Sequence, residues 1–229
     1  MGRLIEENED DEAYQGFERG AGGDVSIGFD LMAEEIFVRR LSPFGTIYSE
    51  ESGLIPGEGD ATILLDPIDG SDNLKSAFPY YGAAIALQRG GKTEAAVVCN
   101  FASGDCFVKY QDRHYKTSLS DSEMSQKVTP NPYAKIGLFE KAAHHPEVGA
   151  LLMKEGLKFR APGAVALSLA YAHYVNYVVF FGTMRPYDID AGLYMCQSLH
   201  IFQDSGLLIV AKDQAVFDTL LRLFRRGDD

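Results

Sequence analysis

The chain has 229 residues, of which 46% are hydrophobic, and a formal net charge of −12 at pH 7. This length can bury a substantial core, as one compact unit or as two packed subdomains. The acidic balance, with no run of Lys and Arg, argues against nucleic-acid binding, and the most apolar stretch, residues 174–182, is too short to span a membrane.

The first predicted helix covers residues 31–41, where the apolar positions 31, 37, 38 and 41 suit one helical face. Asp30 directly precedes this helix and is well placed as its N-cap. Glu50 and Glu51 form an acidic pair further along the chain. Capping for Asp30 and solvated surface charge for the glutamates are the ordinary explanations of each residue taken alone.

Two aspartates follow a predicted buried strand, the short apolar run at residues 62–65. Pro67 and Gly70 predict that the chain turns directly after this strand, which places Asp66 and Asp69 at the strand end. Two carboxylates this close repel each other unless a cation or a shared proton compensates. The pair therefore favours a hard divalent cation, with an ordinary turn as the alternative.

A polar segment at residues 117–132 is the best candidate for a boundary within the chain. Before it, the pattern predicts a β-hairpin and a third strand, at residues 81–88, 94–101 and 106–110. After it, the pattern predicts a small-residue helix, a strand and an amphipathic helix, at residues 163–174, 207–211 and 215–226. We therefore expect an N-terminal α+β subdomain, residues 1–125, and a C-terminal α/β subdomain, residues 126–229.

A further acidic motif, Tyr187-Asp188-Ile189-Asp190-Ala191-Gly192, stands where an irregular segment gives way to a predicted helix. Together with Glu50-Glu51-Ser52, Asp66-Pro67-Ile68-Asp69-Gly70-Ser71 and the run from Gly22 to Asp30, it resembles the inositol monophosphatase family. That superfamily also contains fructose-1,6-bisphosphatases and nucleotide 3'-phosphatases. The resemblance implies a layered α/β/α/β/α sandwich of the α+β class, with two packed subdomains and metal ligands at their seam.

The resemblance implies a metal site built from carboxylates. The positions that match the family's ligands are Glu50, Asp66, Asp69 and Asp188, with the backbone carbonyl of Ile68. Such an all-oxygen set suits Mg²⁺ or Mn²⁺ better than Zn²⁺. The family likeness therefore implies two or three Mg²⁺ ions, for which Mn²⁺ can substitute, and hydrolysis by a metal-activated water.

The resemblance also assigns catalytic and phosphate-binding residues. Asp30 and Ser71 match the pair that orients the attacking water, with Asp30 taking up its proton. Gly70 and Ser71 open a short predicted helix whose N–H groups would meet phosphate oxygens. Gly163 and Ala164 match the backbone positions that approach the substrate.

Three departures from the family pattern concern the last motif. Tyr187 replaces the usual Trp, and Asp190 replaces the usual Ala. Asp190 is expected to be a surface acid or a hydrogen-bonding partner near the site rather than a competitor of Asp188 for the metal. Residues 176–187 contain no acid, although the family's inositol-binding Glu is expected there. This absence weakens inositol phosphate as the substrate.

The resulting hypothesis is an enzyme, a magnesium-dependent phosphatase for a small phosphorylated metabolite. Inositol phosphate, fructose bisphosphate and nucleotide 3'-phosphate are the substrate classes that the resemblance implies. The alternative is a catalytically weak relative with a binding or regulatory role, suggested by the missing acid and a shortened C-terminal region. The likeness also implies a homodimer, with no nucleic-acid or membrane partner.

Two features of the sequence predict the cellular compartment. The N-terminus carries acids where a signal peptide requires an apolar segment. Cys99, Cys106 and Cys196 lack metal-ligand spacing, and we expect buried thiols rather than a disulfide framework. Both features favour a reducing cytoplasm.

Overall fold

The computed structural model of the protein describes residues 16–19, 21, 25–121, 123 and 125–225. Gly22, Gly23 and Asp24 of the first motif, and Arg226 at the predicted end of the last helix, lie outside the described residues. Within these ranges, no helix is both long enough and apolar enough to cross a membrane.

The N-terminal part of the described chain forms a short hairpin and an eight-stranded sheet. The hairpin pairs β1 (Gly16–Arg19) with β2 (Val25–Ile27). The strands of the larger sheet are β3 (Gly45–Ser49), β4 (Gly53–Ile55), β5 (Ala61–Asp69), β6 (Gly82–Arg89), β7 (Lys92–Asn100), β8 (Asp105–Tyr110), β9 (Arg113–Ser118) and β10 (Gln126–Lys127). Their order is β10-β9-β8-β7-β6-β5-β3-β4, and only β3 and β5 pair in parallel.

A second sheet has five strands. They are β11 (Gly137–Glu140), β12 (Phe159–Arg160), β13 (Tyr177–Phe181), β14 (His200–Gln203) and β15 (Leu207–Ala211). The order is β12-β11-β13-β15-β14, with β11 parallel to both of its neighbours and the other pairs antiparallel. The change of sheet lies between residues 127 and 137; the subdomain division at residue 125 stays a prediction.

In the described part of the chain, six α-helices pack on the faces and ends of these sheets. They are α1 (Gly28–Leu41), α2 (Ser71–Lys75), α3 (Pro146–Lys154), α4 (Val165–Ala170), α5 (Pro186–Met195) and α6 (Gln214–Arg225). Helices α4 and α5 lie between the two sheets: Leu167 and Met195 pack on Leu64 of β5, whereas Leu169 packs on Val178 of β13.

The outer faces of both sheets are also covered by helices. Phe29 of α1 packs against Ile68 of β5. Leu152 of α3 and Leu220 of α6 pack against Val179 of β13, whose neighbour in sequence faces the opposite side. Alternate side chains of β13 thus pack into two different layers, on opposite faces of the sheet. The layers follow the order α/β/α/β/α, and the predicted α+β sandwich is confirmed.

Several predicted elements need correction. The first helix begins at Gly28, so Asp30 lies in its first turn and is not the N-cap. Leu31, assigned to the buried face, is 38% exposed, because Phe29 and Ala33 provide the buried contacts one turn apart. Of the helix predicted at residues 163–174, only Val165–Ala170 is helical, as α4. The predicted hairpin, the strand at 207–211 and the final amphipathic helix are confirmed within a few residues.

The cysteine prediction is wrong for one pair. Cys99 and Cys106 lie opposite each other on β7 and β8, with Cα atoms 4.1 Å apart, and their sulfur atoms form a disulfide. The hairpin register brings them together, which their spacing in the sequence did not indicate. Among the described residues, Cys196 is a free and buried thiol, as predicted.

Candidate functional site

Strand β5 carries two of the predicted acidic residues into a cavity of about 720 Å³. The strand does not end at Leu65, as predicted, but continues to Asp69. Asp66 pairs with Ala84 and Asp69 pairs with Gly82, so β5 contains one residue more than β6 in this stretch. This β-bulge lets both carboxylates line the same cavity.

Three carboxylates from separate elements converge in this cavity. Each of Glu50, Asp66 and Asp188 offers an oxygen within 4.8 Å of the others. Glu50 follows β3 and is held beside β5 by a 3.0 Å hydrogen bond from its N–H to the carbonyl of Leu65. Asp188 lies in the first turn of α5. Asp69 and Ile68 line the same cavity, so the structure brings all five predicted ligand residues to one place.

Burial and mutual repulsion raise the pKa values of these acids. Burial, followed by the charge of Asp188, raises the pKa of Glu50 to about 8. Burial raises the pKa of Asp69 to about 8, although a hydrogen bond from Leu167 opposes the shift. The pKa of Asp66 is raised well above its usual value by burial and then by Glu50. Bound cations would reverse these shifts.

One atom of the cluster indicates that a cation fits here. Among the described residues, no hydrogen-bond donor reaches Oδ1 of Asp66, although this oxygen is buried. Buried carboxylate oxygens normally have a partner, and an ionised carboxylate can only accept. An all-oxygen set around such an atom suits Mg²⁺ or Mn²⁺.

Asp30 and Ser71 meet at the edge of the carboxylate cluster. Ser71 Oγ donates to Oδ1 of Asp30 over 3.1 Å and also lies 3.2 Å from the carbonyl oxygen of Ile68. Asp30 is 2% exposed, in the first turn of α1, and Ser71 begins α2. The preceding Gly70 has φ of 91°, a conformation that favours glycine.

The second predicted substrate loop is tied to α2. Asn73 Nδ2 donates to the carbonyl of Pro162 and to that of Tyr80, both over 2.7 Å. Gly163 lines the cavity, whereas Ala164 is buried directly behind it, with its Cβ facing Gly70. The backbone positions assigned to substrate therefore lie next to the predicted phosphate loop.

Arg185 and Glu140 are charged residues of the cavity that received no role from the sequence. Arg185 contacts both Glu50 and Asp188. Its position three residues before Asp188, at the start of a predicted helix, could have indicated this contact from the sequence. Glu140 ends β11, where it accepts hydrogen bonds from the N–H of Gly163 and from Ser168 Oγ. No sequence signal identified Glu140, because its strand was not predicted.

Asp190 lies outside the cluster. Its Oδ2 accepts a 2.9 Å hydrogen bond from Gln88 of β6, and it is not among the residues that line the cavity. The sequence expectation that Asp190 does not compete with Asp188 agrees with this geometry.

Comparison with known proteins identifies related sequences. The sequence model of the inositol monophosphatase family matches residues 24–198. The chain is 28% identical over 175 residues to the fructose-1,6-bisphosphatase/inositol-1-monophosphatase of Thermococcus kodakarensis, covering 75% of this chain and 66% of that protein. It is 29% identical over 205 residues to the Nus factor SuhB of Escherichia coli K12, covering 83% and 75%. The chain thus spans two thirds to three quarters of these relatives.

A solved structure has the same fold. The extragenic suppressor protein suhB from Bartonella henselae superimposes with a TM-score of 0.78 at 20% sequence identity. The match covers 99% of this chain and 94% of that one. At this identity the likeness establishes the architecture alone.

Proposed function

The chain belongs to the inositol monophosphatase family, and on that basis we propose that it hydrolyses a small phosphomonoester with Mg²⁺ as its cofactor. One observation carries the proposal. Glu50, Asp66 and Asp188 present oxygens within 4.8 Å of one another, in a cavity that the hydrogen-bonded pair Asp30 and Ser71 also lines.

The metal ligands in this proposal are all oxygen atoms. Glu50, Asp66, Asp69 and Asp188, with the carbonyl of Ile68, would hold two or three Mg²⁺ ions, and Mn²⁺ can substitute. When bound, such ions polarise the phosphate and lower the pKa of a water molecule. Oδ1 of Asp66, which is buried and has no hydrogen-bond partner among the residues that the structure describes, supports this role.

Asp30 and Ser71 would handle the attacking water. Ser71 Oγ donates a hydrogen bond to Asp30. The lone pairs of the Ser71 oxygen are therefore able to accept a hydrogen bond from that water. Asp30 then accepts the proton that the water loses as its oxygen bonds to phosphorus. The P–O bond to the alcohol breaks in the same reaction, and the released alkoxide takes up a proton from solvent. Gly70 and Gly163 line the cavity beside this pair, and we assign them and the N–H of Ser71 to the phosphate, with Ala164 supporting the loop.

The substrate is proposed as a small phosphorylated metabolite. Inositol phosphate, fructose bisphosphate and nucleotide 3'-phosphate remain the classes to test, and the absence of an acid in residues 176–187 disfavours the first. We also propose a homodimer, which a monomer mass in light scattering at micromolar concentration would contradict.

The decisive experiment measures phosphate release from representatives of these three classes, with and without Mg²⁺. Asp66→Asn should abolish release while the protein stays folded. Asp190→Asn is the matched control, because Asp190 pairs with Gln88 and does not line the cavity. Substantial turnover by Asp66→Asn would refute the assignment. Absence of release from every substrate, in a folded protein that binds Mg²⁺, would favour a binding or regulatory role.

A further inference from the structure

Arg185 places a positive charge inside the acidic cluster. Its Nε lies 2.8 Å from Oδ2 of Asp188, and its Nη2 lies 3.1 Å from Oε1 of Glu50. The side chains are largely buried, with 27% of Arg185, 15% of Glu50 and 9% of Asp188 exposed. The guanidinium therefore pairs with two of the three carboxylates that converge in the cavity.

The fold holds this guanidinium in place. Arg185 directly precedes Pro186, the first residue of α5, and so lies one turn before Asp188. Its guanidinium carbon is 5.4 Å from the centre of the Tyr187 ring, a distance at which a cation is attracted to an aromatic face. A rigid fork of donors, each bonded to a different carboxylate, is a stronger arrangement than a single exposed ion pair.

The same contacts oppose a divalent cation. An ion bound by Glu50 and Asp188 would lie close to a guanidinium that is bonded to those same two groups. The positive charges would repel each other, in a site where burial weakens solvent screening. Either the arginine leaves its carboxylates or the ion binds more weakly.

We propose that Arg185 competes with the metal: it neutralises Glu50 and Asp188 when no metal is bound, and it thereby lowers the metal affinity of the site. This inference rests on the proposed function, because it requires that the carboxylates bind Mg²⁺. Arg185 is thus a positioning residue that stabilises the metal-free protein and sets the Mg²⁺ concentration at which the site fills.

The test replaces Arg185 with methionine, which keeps an apolar stem and removes the charge. Isothermal titration with Mg²⁺ alone should show affinity about tenfold higher for Arg185→Met than for the wild type. In EDTA, the melting temperature of Arg185→Met should be lower. Arg89→Met is the matched control, because Arg89 also bridges two acids, Asp60 and Glu94, but on the exposed surface. This control should bind Mg²⁺ like the wild type.

Each other outcome is decisive. If the wild type binds Mg²⁺ and Arg185→Met binds it equally or more weakly, the competition is overturned and the proposed function stands. Absence of Mg²⁺ binding by both the wild type and Arg185→Met overturns both.

If Arg185→Met does not fold, the wild type itself provides the test. The NMR signal of the Arg185 Nε–H group, assigned from its loss in Arg185→Lys, should exchange faster with water when Mg²⁺ saturates the site. Unchanged exchange at saturation means that the arginine keeps its carboxylates, which contradicts the proposal.

Discussion

The backbone N–H of Leu167 donates a 2.7 Å hydrogen bond to Oδ2 of Asp69, which lies 98 positions earlier in the chain. Both residues are buried. The bond joins helix α4, in the middle layer, to strand β5 of the eight-stranded sheet. One predicted metal ligand is therefore oriented by the main chain of another layer.

This hydrogen bond can be isolated by comparing two substitutions. Asp69→Asn keeps an acceptor for the Leu167 N–H, whereas Asp69→Ala leaves that buried donor without a partner. Both remove the same charge. We expect Asp69→Ala to be less stable than Asp69→Asn by about 1–3 kcal/mol, measured by urea unfolding in EDTA. Equal stabilities would mean that the bond does not hold the layers together.

Ser71→Ala should affect catalysis more than metal binding. We propose that this hydroxyl orients the attacking water toward Asp30, so its loss should lower kcat by about 10²-fold or more. The Mg²⁺ dissociation constant, from titration, should change by less than about threefold, because the carboxylates remain. Ser71→Thr keeps the hydroxyl and should retain most of the activity. A variant that loses Mg²⁺ binding with little loss of kcat would contradict the assigned role.

Gly192 controls the distance between the two helices of the middle layer. A Cβ at this position of α5 would lie 2.4 Å from Cβ of Leu169 in α4. We expect Gly192→Ala to reduce the free energy of unfolding by about 2 kcal/mol, since the helices must separate. Gly206→Ala is the control, because a Cβ there meets no atom within 4 Å. Chemical denaturation of both variants tests this, and equal stabilities would show that the helices adjust freely.

The secondary structure was predictable where a segment's own pattern decides it. Strand β15 is a continuous apolar run, and α6 has a helical stripe, so both were found with nearly correct ends. Helix α4 was predicted too long, because its small residues favour a helix beyond Ala170. The hydroxyl of Tyr171 instead bonds to Asp105 on β8, a contact between distant segments that local pattern cannot indicate.

The sequence predicted which acids meet in the candidate site but not the charged groups that pair with them. Glu50, Asp66 and Asp188 stand in sequence motifs that indicate metal ligation. The pairing of Arg185 with two of them, and the hydrogen bonds of Glu140, depend on how β3, β11 and α5 approach one another. Such distances follow from packing of the layers, which the sequence pattern does not encode locally.

A buried histidine pair should contribute less stability in acid. The rings of His114 and His173 are 5.1 Å apart. Burial, followed by the charges of His173 and Lys109, lowers the pKa of His114 to about 3. Burial, followed by the charge of Lys109, lowers the pKa of His173 to about 4. Among the described residues, neither Nε2 of His114 nor Nδ1 of His173 has a hydrogen-bond partner.

The sign follows from proton uptake by the unfolded chain, whose imidazoles titrate near pH 6.5. Below that pH these two imidazoles bind more protons in the unfolded state than in the folded state, so their contribution to stability is lost as the pH falls from about 6.5 toward 4. Glu50, Asp66 and Asp69, whose pKa values are raised, gain stability over the same range, so the histidine contribution is measured as a difference between variants. Relative to the wild type, the free energy of unfolding of His173→Gln should rise by about 1 kcal/mol between pH 7.5 and pH 5.5, measured by urea unfolding. A difference that does not change with pH would exclude His173 as a source.

The bulge in β5 affects the main chain of Ile68 as well as the two aspartates that flank it. Asp66 and Asp69 pair with Ala84 and Gly82, two residues on the same face of β6, so both carboxylates point the same way. A regular strand with a single residue between the aspartates would aim them equally well. The additional residue instead takes main-chain groups out of the ladder, and the carbonyl oxygen of Ile68 lies 3.2 Å from Ser71 Oγ. One extra residue in an ordinary strand can thus turn a main-chain carbonyl, as well as two acids, toward a cavity.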